Sequence, residues 1–168
     1  MKKKLILFMP SFEGGGVEKN FFLIANFFIK KIDKISIITV SKKYKNYFDK
    51  KINFISPKYF FWNNFNRPIK YIICLYLLFL EYLKNKNLVV FCFQGNVLCI
   101  IFCKIFNIKI IIRPNSSPSG WSTNYIKKKF FSYILKLSDK VLVNSIKFQD
   151  ELKNNFKIKS ECIYNPLN

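Results

Sequence analysis

Short apolar runs without polar alternation recur along this chain, each followed by a longer stretch, and this pattern constrains the fold more than any other feature. Lys4–Met9 (KLILFM), Lys34–Val40 (KISIITV), Leu88–Phe93 (LVVFCF), Ile108–Ile112 (IKIII) and Lys140–Val143 (KVLV) read as strands. Weaker strands are expected at Ile52–Ser56 and Glu161–Tyr164. A strand with one solvated face alternates apolar and polar residues, whereas a continuous apolar run is buried on both faces. In the first intervening stretch, Val17, Phe21, Ile24 and Phe28 fall at helical spacing within Val17–Lys31. Arg67–Asn85 is a long apolar helix opened by Pro68 and closed by a polar KNKN segment. Gln94–Phe106, Ser122–Ser138 and Ser145–Asn155 complete the helices, the second carrying Ile126, Phe130, Tyr133, Ile134 and Leu137 on one side. The pattern predicts an α/β fold: a doubly wound, Rossmann-like parallel sheet of six or seven strands, covered on both faces. No internal repeat or linker divides it.

The charge is lopsided. Lysine and arginine number 29 against 9 acidic residues, a net charge of +20, yet Arg67 and Arg113 are the only arginines. The lysines are spread over both halves and do not form a tail. Two readings stay open: a basic solvated surface, and a surface that meets an anionic membrane. Lys58, Tyr59–Phe65 (YFFWNNF) and Arg67 form an aromatic–basic cluster that suits core packing or an interfacial anchor. No zinc-finger or RNA-binding pattern supports a nucleic-acid partner.

Several chemistries are excluded. The chain has no histidine, which rules out Ser-His-Asp and Cys-His catalysis within it. Its five cysteines (Cys74, Cys92, Cys99, Cys103 and Cys162) sit in or beside apolar runs, with no C-x-x-C pair. Zinc ribbons and thioredoxin-like centres are therefore not expected, no metal site is assigned, and the cysteines read as small core residues in a reducing cytoplasm. The apolar run Leu5–Met9 is shorter than a secretory core, and Tyr71–Leu80 ends at Glu81, short of the about 20 residues that span a bilayer. A cytoplasmic protein is expected, soluble or peripheral at the inner face of the cytoplasmic membrane.

In doubly wound sheets, ligands bind in the loops at the carboxyl ends of the strands. Pro10–Glu18 (PSFEGGGVE) brings three consecutive glycines to the start of a helix, where the backbone can approach a phosphate or a sugar hydroxyl. It lacks the G-K-[ST] of a P-loop and the third glycine of the dinucleotide fingerprint. Phe93–Asn96 (FQGN) presents the amides of Gln94 and Asn96, suited to hydroxyls or to capping the next helix. Arg113–Ser122 (RPNSSPSGWS) offers a cation beside small hydroxyl residues and Trp121, with a structural ion pair as the competing role. At Val143-Asn144-Ser145, Ser145 suits a helix cap.

In their order and spacing these segments resemble the amino-terminal half of family 4 glycosyltransferases, which place two Rossmann-like domains face to face in the GT-B fold. The matching residues are Pro10-Ser11, Gly14-Gly15-Gly16-Val17-Glu18, Phe93-Gln94-Gly95-Asn96, Ile112 to Pro118, Ser138-Asp139-Lys140-Val141, Val143-Asn144-Ser145 and Ile163 to Asn168. The bacterial members that build surface polysaccharides are the most similar. The resemblance implies transfer of a sugar from a nucleotide-sugar donor to a glycan or lipid-linked acceptor, usually with retention, with no cofactor beyond that cosubstrate.

It also implies roles. Gly14, Gly15, Gly16 and Glu18 would form the donor-facing loop. Gln94, Asn96, Arg113, Asn115 and Ser145 would line the acceptor side of the cleft, and Asn165-Pro166 would be the hinge. The domain would be residues 1–164, with 165–168 starting a linker. The family's second domain, which carries most of the nucleotide pocket and a glutamate pair, has no counterpart in this sequence. The implied chain is therefore truncated or completed by a separate carboxyl-terminal chain, and inactive alone, with no catalytic residue assigned. The alternative is a non-catalytic module that binds membrane or glycan.

Overall fold

The computed structural model describes residues 3–58, 62, 64–116 and 124–165. Seven parallel strands form its sheet: β1 (Lys4–Phe8), β2 (Ile35–Ile38), β3 (Asn53–Ile55), β4 (Leu88–Cys92), β5 (Lys109–Ile112), β6 (Lys140–Val143) and β7 (Glu161–Cys162). Their spatial order is β3-β2-β1-β4-β5-β6-β7. β1 is central, paired with β2 from Leu5↔Ile35 to Phe8↔Ile38 and with β4 from Lys4↔Leu88 to Phe8↔Cys92. The chain winds outward from β1 in one direction and then, through β4, in the other. The switch point lies between β1 and β4, where the two loops diverge and leave a crevice.

Helices α1 (Gly16–Phe28), α2 (Arg67–Lys84), α3 (Asn96–Ile105), α4 (Tyr125–Lys136) and α5 (Ile146–Phe156) make the crossovers, with a short 3-10 turn at Lys45–Tyr47 between β2 and β3. The unbroken apolar runs resolve residue by residue into two cores. In β1, Leu5 and Leu7 face the core beneath α1, and Ile6 and Phe8 face the core beneath the other four helices. β4 divides likewise, with Phe91 and Phe93 on the α1 side and Val90 and Cys92 on the other. A side-chain period of two explains why both parities must be apolar.

Backbone carbonyls and short polar side chains set the helix ends. Asn66 caps α2 by accepting from the Ile69 N–H, with Pro68 in the first turn. Asn124 caps α4 by accepting from Ile126 and Lys127. Asp139 ties β5 to β6: its carboxylate accepts from the Ile110 N–H at 2.8 Å and from Lys104 at 3.2 Å. Burial pushes the Asp139 pKa up, but those two hydrogen bonds outweigh it and hold the carboxyl below its usual range.

One expectation is corrected. Amphipathic spacing puts Ile126, Phe130, Tyr133, Ile134 and Leu137 of the fourth helical stretch on one side, but of these the helix buries Ile134 alone, together with Ser132 and Leu135. Ile126 is 76% exposed, Tyr133 63% and Phe130 51%. The helix has two apolar arcs and the turn into β6 selects between them. Ser138 donates to the Leu135 carbonyl through both N–H and Oγ, and the Asp139 N–H donates to Ile110 O, which fixes the rotation of α4. In the aromatic–basic cluster, Trp62 packs beside the four-helix core and meets Phe65 at 5.5 Å. Tyr59, Phe60, Phe61 and Asn63 lie outside the described residues.

Candidate functional site at the carboxyl edge of the sheet

The glycine loop leaves β1 beside the switch point and is held by its own neighbours. Gly14 has φ +85°, a conformation that a side chain disfavours. A Cβ on Gly15 would stand 3.2 Å from Glu18 Oε2, and one on Gly16 would meet nothing within 4 Å. Backbone conformation thus accounts for Gly14 and close packing for Gly15, and the third glycine is left open. Glu18 is buried and turned inward: its carboxylate accepts from the Glu13 N–H at 2.9 Å and the Gly15 N–H at 2.8 Å. Glu18 therefore shapes the loop from behind. Gly15 stands at the cap position with no side chain to accept from the first-turn N–H groups of α1.

Two ties cross from this loop to its neighbours. Gln94, at the end of β4, accepts from both the N–H and the Oγ of Ser11, at 3.2 and 3.1 Å, spanning the switch point. Arg67, at the start of α2, grips Glu13 through Nε at 2.7 Å and through its second terminal nitrogen. The hydrogen bond from Arg67 holds the Glu13 carboxyl below the usual carboxylate range. This pair is exposed, so its worth lies in positioning the loop more than in stability.

Arg113 is buried at 5% exposure, just after β5. Its side chain donates to the Ile163 carbonyl at 3.0 Å and to Asn165 Oδ1 at 2.9 Å, and no carboxylate among the described residues pairs with it. Burial lowers its pKa, although a guanidinium stays charged at any working pH. Asn115 donates through Nδ2 to the Phe93 carbonyl at 2.8 Å.

These groups converge. Gly16, Arg113, Asn115 and Asn165 line one cavity of about 260 Å³, together with Asn20 of α1 and Asn144 after β6. A second cavity of about 410 Å³ shares Pro114 and Asn115 and adds Asn96, Tyr71 and Phe131. The Asn96 Oδ1 is buried with no hydrogen-bond partner among the described residues. Gly14 and Gly15, with Glu18, line a third cavity of about 350 Å³ that opens on the aromatic rings of Phe22, Tyr44 and Tyr47. Ser145 caps α5 by accepting from the Phe148 N–H at 3.2 Å. Pro166, Trp121 and the rest of residues 117–123 lie outside the described residues.

Sequence reasoning missed Asn20, whose place one turn after Gly16 on α1 was the available signal, and gave Asn144 no role beyond its neighbour's cap. The arrangement provides a helix N-terminus, a buried cation and several amides around one crevice. Together these suit an anion carrying hydroxyl groups. Among the described residues no cluster of three or more His, Cys, Asp or Glu side chains is placed to hold a metal ion.

No family model and no curated protein matches this sequence. Solved structures do match in fold. The apo form of the lipopolysaccharide outer core galactosyltransferase WaaB superposes with a TM-score of 0.61 at 14% identity, covering 99% of this chain and 46% of that one. HepE of Anabaena in complex with UDP and glucose gives 0.67 at 12% identity, with 98% and 45% covered. A UDP-glucosyltransferase from Polygonum tinctorium capable of glucosylating indoxyl gives 0.63 at 11%, with 99% and 52% covered. The fold is therefore that of one Rossmann-like half of a GT-B glycosyltransferase, and the chain spans about half the length of these structures.

Proposed function

We propose that this chain is the amino-terminal, acceptor-side half of a glycosyltransferase of the family 4 kind. In this reading it moves a glycosyl unit from a nucleotide sugar to a glycan or lipid-linked acceptor, with retention, in the assembly of surface polysaccharide such as lipopolysaccharide. The observation that carries the reading is the crevice in which Gly16, at the start of α1, and the buried Arg113 line the same cavity. The partial positive charge of a helix N-terminus and a guanidinium with no carboxylate partner among the described residues both favour a diphosphate or its developing charge. Asn20, Asn115 and Asn144 supply amides that match sugar hydroxyls. The structural neighbours, among them a galactosyltransferase and a complex with UDP and glucose, favour the same substrate class.

The larger cavity, with Asn96 and Asn115, is assigned to the acceptor. The nucleotide sugar is the cosubstrate, and the reading calls for no cofactor. A cavity of about 260 Å³ falls below the ~300–1,000 Å³ that buries a typical ligand. A facing wall must complete the site, on the same polypeptide or on a separate chain, with Asn165-Pro166 as the hinge. The 168 residues alone are then expected to turn over little or no nucleotide sugar.

Titration of the chain with UDP and a panel of nucleotide sugars tests this. Weak binding is expected, reduced about tenfold by Gly16→Ala, which fills the open approach to α1. Ready turnover by the 168 residues alone, or binding that ignores Gly16→Ala, would overturn the reading.

A further inference from the structure

The helix layer of α2, α3 and α4 turns apolar side chains away from the protein as well as toward it. On α4 the exposed Ile126, Phe130, Tyr133 and Leu137 fall within about 60° of one another at ~100° per residue. The buried Leu135 lies on the opposite arc of the helix, and the buried Ile134 at the inner edge of the stripe. α2 exposes Ile72, Tyr76 and Leu83 along one stripe, and α3 exposes Leu98 and Ile105. All three helices pack on the same core cluster, and α3 contacts both neighbours, so these stripes share one face of the molecule.

The exposed charges beside the α4 stripe are of one sign, Lys127, Lys129 and Lys136, while Lys84 of α2 and Lys104 of α3 pair with Glu81 and Asp139. Glu81 is the sole acidic residue in the three helices, and its buried carboxylate is bound to Lys4 and Lys84. By contrast, α5 carries Asp150 and Glu151. No helix among the described residues is long and apolar enough to cross a membrane.

We infer that the outer face of α2, α3 and α4 docks on a bilayer leaflet containing anionic phospholipid, with the α4 stripe as its deepest contact. An apolar stripe flanked by lysines binds in the interface plane, its apolar side entering about 5–10 Å while the ammonium groups meet phosphate. Tyr76 and Tyr133 provide the amphipathic rings that favour the headgroup level. A second copy of the chain would set these lysines against their own equivalents, which the charge disfavours. The aromatic–basic segment Tyr59–Phe65 is not needed for this docking.

The docking stands without the transfer reading. If that reading also holds, α4 is shared: Phe131 and Leu135, on its inner arc, line the cavity assigned to the acceptor. A lipid-linked acceptor held in the leaflet would then lie about one helix diameter, ~10 Å, from that cavity.

Flotation of the full chain with vesicles tests the inference. Vesicles with about one-third phosphatidylglycerol are expected to carry the chain, and neutral phosphatidylcholine vesicles to carry much less. The double variant Lys127→Gln/Lys129→Gln should lower partition about 25-fold at roughly fivefold per lysine, and Ile126→Asn/Phe130→Asn by about tenfold or more. Because these positions are exposed, circular dichroism should be unchanged. Phe130→Trp supplies a second readout, its emission shifting to the blue when anionic vesicles are added.

Equal partition on neutral and anionic vesicles, or no blue shift, would overturn the docking. So would variants that dissolve a dimer while leaving vesicle binding intact, which would assign the face to a second copy. Loss of nucleotide-sugar binding with vesicle binding retained would sink the transfer reading alone.

Discussion

The two faces of the sheet are covered by different means. On one, a single long helix, α1, is joined to the sheet by large rings: Phe21 meets Phe93 edge-on at 4.8 Å and Phe48 at 5.8 Å, and Phe12 packs over Phe21 and Phe22. On the other, four helices pack against the sheet largely through aliphatic and small thiol side chains, among them Leu78, Cys74, Cys99, Ile100 and Cys103, with the rings of Phe79, Tyr82, Phe102 and Phe106 gathered around the end of α3. One helix leaves gaps that rings fill, since an aromatic side chain buries a large area per residue. Four helices leave narrow gaps that suit small side chains. The glycine loop stands on the aromatic face, and the outward apolar stripes belong to the four-helix face. The two covering schemes thus go with two different duties: positioning a loop, and presenting a surface.

The largest effect should come from the ring network. Phe21→Ala is expected to cost about 3–5 kcal/mol in chemical denaturation, and Leu78→Ala, on the opposite face, about 2–4 kcal/mol. A larger loss at Leu78 would break the comparison, because it would mean that the four helices cannot close around a cavity better than the aromatic face can.

Next comes the glycine loop. Gly14→Ala forces a side chain into the left-handed region and should cost about 1–2 kcal/mol, whereas Gly16→Ala should change stability by less than ~0.5 kcal/mol. Equal losses at the two would show that Gly16 also serves the fold.

A further expected effect, smaller than that at Gly14, is electrostatic and lies on the four-helix face. Burial raises the Glu81 pKa, but hydrogen bonds from Lys4 and Lys84 outweigh it and leave the carboxyl below its ordinary value. A carboxylate depressed in the folded state adds stability above its unfolded pKa of about 4.3, and loses it as pH falls through the folded value. Acid should therefore weaken the wild-type chain more than Glu81→Gln. At neutral pH that variant should lose about 1 kcal/mol, kept small by the exposure of Lys84. Parallel stability–pH curves for the two proteins would remove Glu81 from this account.

Much of the fold is legible in the amino-acid sequence. The apolar runs predict every strand, β1 at Lys4–Phe8 within its expected Lys4–Met9 and β7 cut to Glu161–Cys162. The glycines and Arg113 stand out because they are scarce in this chain and fall at strand ends. The inward turn of Glu18 is not legible, because the same residue three places into a helix serves equally as a ligand or as a loop brace. Its two backbone hydrogen bonds show that it braces the loop. Nor is the bridge from Gln94 to Ser11, which joins residues far apart in sequence.

Sequence by itself determined the layer plan, since local spacing carries the periods of strand and helix and those periods dictate which elements can be buried. Tertiary structure alone decided which arc of α4 faces the core. Both arcs are apolar, and the choice rests on long-range hydrogen bonds at Asp139 and on packing against α3. It also brought Gly16, Asn20, Arg113 and Asn144 from four separate segments into one crevice. Such a convergence depends on strand order, which is a property of the whole sheet and of no single stretch of residues.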